Sequence, residues 1–118
     1  MGTLDWLGQQ ADPSAHKSEQ AVLVHFKYGS TDLSMLVALE NALRLVIARA
    51  KAGELDGNAI AADGSNGTLF MYGPSADRLF SVVRPTLATA PFLRGAQVLL
   101  RYGPPEDGVE ERALTLGD

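Results

Sequence analysis

Three tyrosines in this chain, Tyr28, Tyr72 and Tyr102, each stand immediately before a glycine, and the last two open the same tripeptide, Tyr-Gly-Pro. A phenol at such a turn can donate a hydrogen bond and stack on a ligand, while Gly-Pro bends the backbone away from it. With Asp56, Asn58 and Ser75, the two Tyr-Gly-Pro tyrosines Tyr72 and Tyr102 make a candidate ligand rim. The same pattern also fits tyrosines that close a core edge ahead of a turn. His25 is the side chain best suited to proton chemistry near neutral pH, and Lys27 shares its side of an extended segment. The only other histidine is His16 and there is no cysteine, which excludes a multi-histidine or thiolate metal site, a disulfide and an iron–sulfur cluster. Asp63-Gly64-Ser65-Asn66-Gly67 has the composition of part of a calcium loop but lacks its ligand count and closing glutamate, and reads as a hairpin turn. No Gly-x-Ser-x-Gly elbow and no phosphate loop ending in Gly-Lys-Ser/Thr occurs, so no catalytic residue, metal or cofactor is assigned.

The elements that must position these groups follow from periodicity. Residues 1–19 are rich in Gly, Gln, Asp, Pro, Ser and Lys, with Leu4, Trp6 and Leu7 as the large apolar groups, and read as a flexible arm. Residues 20–118 read as one domain. Apolar and polar positions alternate over 21–28, which predicts a half-buried strand. Leu36, Leu39, Leu43, Val46 and Ala50 recur at helical spacing after the turn residues Gly29 to Asp32, and Lys51 with Gly53 supplies a stop, so a helix is predicted over 33–51. Asp56-Gly57-Asn58 reads as turn chemistry, 59–62 as a short strand and 68–72 as its hairpin partner. Gly73-Pro74-Ser75 opens a second helix, buried through Leu79, Phe80, Val83 and Leu87, with a kink or break expected at Pro85. A fourth strand follows over 96–102. An acidic loop, beginning near 104, then leads to a possible short edge strand at 112–116.

The order β-α-β-β-α-β predicts an α+β, ferredoxin-like split βαβ sandwich: a four-stranded antiparallel sheet in order 4-1-3-2, two helices on one face, and possibly a short fifth strand at an edge. Alternation sends Val22, Val24, Phe26, Phe70, Val98 and Leu100 toward the helices. It leaves Leu23, His25, Lys27, Leu69, Met71, Leu99 and Arg101 on the open face, a surface unusually apolar for an uncovered sheet.

The chain's 118 residues suit one domain, and its 46% apolar and 20% charged composition is that of a folded protein. A net charge of −4 without a basic stripe argues against a nucleic-acid partner. Charges interrupt every apolar run before it reaches bilayer length, so no membrane span is expected, and the setting is read as cytoplasmic.

Gly53-Glu54-Leu55-Asp56-Gly57-Asn58, Leu69-Phe70-Met71-Tyr72-Gly73-Pro74, Ala76-Asp77-Arg78-Leu79-Phe80 and Leu100-Arg101-Tyr102-Gly103-Pro104-Pro105 resemble segments of a group of small uncharacterised bacterial α/β proteins. The resemblance implies a compact bacterial domain and transfers no functional residue. The expected function is that of a non-enzymatic protein-interaction module associating through the open sheet face, with a partner protein or as a homodimer. The alternative is a small-molecule-binding protein or cofactor-free enzyme using the polar rim at one sheet end.

Overall fold

The computed structural model describes residues 19–117. The expected arm over 1–19 lies, apart from Glu19, outside the described residues. Strand β1 (Gln20–Lys27) leads to helix α1 (Ser34–Ala50), then to β2 (Glu54–Ile60), β3 (Asn66–Gly73), helix α2 (Ala76–Leu87), a single 3-10 turn (Pro91–Leu93), β4 (Gln97–Arg101) and β5 (Glu111–Thr115). All neighbouring strands are antiparallel, in the order β2-β3-β1-β4-β5.

Local chemistry sets the boundaries. Asp32 Oδ1 accepts the Ser34 amide at 3.0 Å as α1 begins. At its end Lys51 adopts a left-handed conformation, and the amides of Lys51 and Ala52 return to Ala48 and Ile47. Helix α2 is capped by Ser75, whose Oγ accepts the Arg78 amide at 3.2 Å. Of the kink or break expected at Pro85, the break does not occur: α2 runs through Pro85 and ends two residues later at Leu87. Pro85 lies in the last turn with its ring exposed, so only the bond to the Ser81 carbonyl is lost.

The sheet, expected as four strands in order 4-1-3-2 with a possible short fifth at an edge, has five in the order β2-β3-β1-β4-β5. The edge strand β5 pairs with β4 along its whole length, from Gln97 opposite Thr115 to Arg101 opposite Glu111. The Asp56-Gly57-Asn58 segment, expected to turn, instead continues β2, with a β-bulge where the register shifts between Leu55 and Gly57. A bulge uses the same Asp-Gly chemistry as a turn without reversing the chain.

Both helices pack on one side of the sheet, over Val22, Val24 and Phe26 of β1, Val98 and Leu100 of β4, and Leu69 and Met71 of β3. This corrects the expected parity of β3. Directly opposed residues of an antiparallel pair share a face, and Val22 stands opposite Met71 and Val24 opposite Leu69. Leu69 and Met71, expected on the open face, are therefore fully buried beneath the helices. Phe70, expected inward, points the other way and joins Ala21, Leu23 and Tyr72 in a second cluster.

Candidate functional site

The register writes the helix-free face as rows across the sheet. At one end Tyr72, Ala21, Arg101 and Glu111 stand side by side on β3, β1, β4 and β5. The next row is apolar, Phe70–Leu23–Leu99–Ala113, with Gly57 at its β2 edge. Beyond it comes a polar row, Thr68–His25–Gln97–Thr115, and then Lys27 opposite Asn66. Five of the seven residues expected on this face are thus brought together on it: Leu23, His25, Lys27, Leu99 and Arg101. Leu69 and Met71 are not.

The polar rows open into a cleft of ≈ 800 Å³ at the end of β1, lined by His25, Lys27, Ser65, Asn66, Arg94 and Gln97 together with Phe26, Gly95 and Ala96. In a chain of net charge −4, two basic side chains, Lys27 and Arg94, line it together with His25. Asn66, Gln97 and Ser65 add uncharged donors. His25 Nδ1 is 2.9 Å from Thr68 Oγ1, across the strand from it.

The turn at 61–65 meets the cleft at Ser65. Its Gly64 carbonyl accepts the amides of Gly29 and Ser30, at 2.7 and 3.2 Å, and the Ser65 carbonyl accepts that of Tyr28 at 3.0 Å. Asp63 is the acidic group of this turn. Its Oδ1 accepts the Ser65 amide at 2.9 Å, and the hydrogen bonds from Ser65 hold its carboxyl below the ordinary carboxylate range. The carboxylate here braces a hairpin turn. Among the described residues no group of three or more His, Cys, Asp or Glu side chains is placed to hold a metal ion.

The expected rim of Asp56, Asn58, Tyr72, Ser75 and Tyr102 does not assemble into one site. Asn58 faces the helices, where its Nδ2 donates to the buried Glu40 Oε2 at 2.9 Å. Ser75 is spent on the α2 cap. Tyr102 donates its hydroxyl to Asp77 Oδ1 at 2.6 Å, a bond that raises the phenol's pKa and staples the residue after β4 to α2. Only Tyr72 and Asp56 remain related, through electrostatics. Burial, reinforced by the Asp56 charge and partly offset by Arg101, pushes the Tyr72 phenol up to about 12. Arg101 is itself buried, which draws its guanidinium down from its ordinary value, while Nε donates to the Gly103 carbonyl at 2.8 Å.

A raised phenol pKa means that the folded state holds the Tyr72 proton more tightly than the unfolded chain, whose tyrosines ionise near ~10. Stability from this source is complete below that value and is lost as pH rises toward 12. Tyrosinate absorbance followed during alkaline titration should show Tyr72 ionising near pH 12, or together with cooperative unfolding, and Tyr72→Phe should remove that step. Ionisation of Tyr72 near pH ~10 in still-folded protein would contradict the burial of this side chain.

Sequence reading grouped His25 and Lys27 with the apolar face and read 63–67 as a hairpin turn, without joining the two. The signal that joins them is register: Gln97 opposite His25 brings the start of β4, and with it Arg94, beside the end of β1. Among the described residues no helix is long and apolar enough to cross a membrane. The chain matches no family model, and no curated protein or solved structure is significantly similar to it.

Proposed function

We propose that this protein is a small non-enzymatic binding module that takes a carboxylate- or phosphate-bearing small molecule in the cleft at the end of β1. The observation that carries the reading is the convergence of Lys27, Arg94 and His25 on one concave site in an acidic chain. Lys27 and Arg94 supply the charge, and Asn66, Gln97 and Ser65 supply hydrogen bonds that fix an oxyanion's orientation. In this reading the fold is a ferredoxin-like split βαβ arrangement extended at one edge by β5. The sequence β1-α1-β2 and β3-α2-β4, with both helices on one face, supports it.

A second reading, a protein-interaction module or homodimer working through the sheet face, is favoured by the apolar Phe70–Leu23–Leu99 row. The two readings separate in one experiment. Thermal unfolding of wild type and Arg94→Glu is followed with inorganic phosphate and with citrate as probes, alongside sizing over a range of protein concentrations. A ligand that binds only the folded state stabilises it by about 2.7 kcal/mol at a hundredfold excess over Kd, which for a domain of this size raises Tm on the order of 10 °C. The cleft reading expects that shift in the wild type and its loss in Arg94→Glu. Equal shifts in both proteins, or none, would defeat it, and a concentration-dependent dimer without ligand response would favour the second reading.

A further inference from the structure

The helix-free side of the sheet is not bare. Phe70, Leu23, Tyr72 and Ala21 lie on that side with exposures of 0, 2, 3 and 0%, values that belong to a face with a second layer upon it. Both helices are on the other side. Among the described residues the loop 102–110 approaches this face, where Pro105, Glu106 and Val109 border the hollow over Leu23 and Leu99. Phe70 lies one strand farther from that loop than Leu23.

We propose that residues 1–18 supply this layer in cis, docking Leu4, Trp6 and Leu7 on the Phe70–Leu23–Leu99 row. The segment joins the domain at Glu19, directly before β1, the central strand of this face. Its length suffices: 18 residues reach about 27 Å if helical and about 59 Å if extended, against about 27 Å for the length of β1. Its chemistry fits as well, since the large apolar groups cluster near its far end, which a return across the sheet brings over the apolar row. Attachment to the central strand makes the docking an intramolecular event, favoured over capture of a second copy at ordinary concentrations. The Phe70–Leu23–Leu99 row would then be internal surface, with the basic cleft left as the open site. This inference stands whether or not the cleft binds an anion.

Trp6 is the chain's only tryptophan and reports on the docking directly. In the full chain, its emission should be that of a buried indole and iodide should quench it weakly, both unchanged on dilution through the range where sizing shows a monomer. Leu99→Asp, which places a charge at the margin of the row, should move the emission to that of water-exposed indole and raise quenching severalfold while circular dichroism keeps its folded signature. Wild-type Trp6 quenched as readily as a free tryptophan derivative would overturn the proposal. So would a buried signature that disappears on dilution together with a dimer, because the layer would then come from a second copy.

Discussion

Met71→Glu should destabilise the domain by about 3–5 kcal/mol, because it removes a fully buried side chain and leaves an unpaired carboxylate under the helices. Domains of this kind are stable by about 5–15 kcal/mol in total, so the change should remove a large share of that stability. Met71→Leu, nearly isosteric, should cost less than about 1.5 kcal/mol. Urea unfolding monitored by circular dichroism distinguishes the two. Leu99→Glu is the companion variant: Leu99 is half-buried on the opposite side of the sheet, and its midpoint should move far less. Equal effects at Met71 and Leu99 would contradict the register that sets Met71 opposite Val22.

Gly64→Val should be the second severe change. Gly64 has φ +75°, and an added Cβ would lie 1.9 Å from the Ser30 carbonyl oxygen, so a β-branched side chain meets both backbone strain and a backbone clash. The strain alone costs on the order of 1–3 kcal/mol. The clash would also pull the 61–65 turn off the 28–30 segment and disturb Ser65 and Asn66 in the cleft wall. Chemical denaturation should show a lowered midpoint, with any residual phosphate response weakened. A Gly64→Val protein as stable as wild type would show that this turn does not hold the close approach described.

The places where sequence reading succeeded and failed have a common physical basis. In β1 and β4 one set of alternate positions is wholly apolar and the other carries His25, Lys27, Gln97 and Arg101, so parity was legible. In β3, Leu69-Phe70-Met71-Tyr72 is apolar or aromatic throughout and all four are buried, so alternation carries no information there. Parity then depends on cross-strand register, which places Phe26 opposite Gly67 and not in line with Phe70. Asp56-Gly57 misled for a related reason: a bulge and a turn draw on the same residues, and only the partner strand decides between them. The cleft was hardest to foresee, since Lys27, Asn66 and Arg94 come from three separated segments that only the pairing of β3, β1 and β4 brings together.

Phosphate titrated into isotope-labelled full-length protein, followed by heteronuclear NMR, tests the central claim most directly. The account predicts saturable shifts confined to the amides of His25, Lys27, Asn66, Gly95 and Gln97, around the cleft, and their disappearance in Lys27→Glu. Shifts spread evenly over the surface without saturation, or centred on Tyr72 and Tyr102 at the opposite end of the sheet, would contradict it.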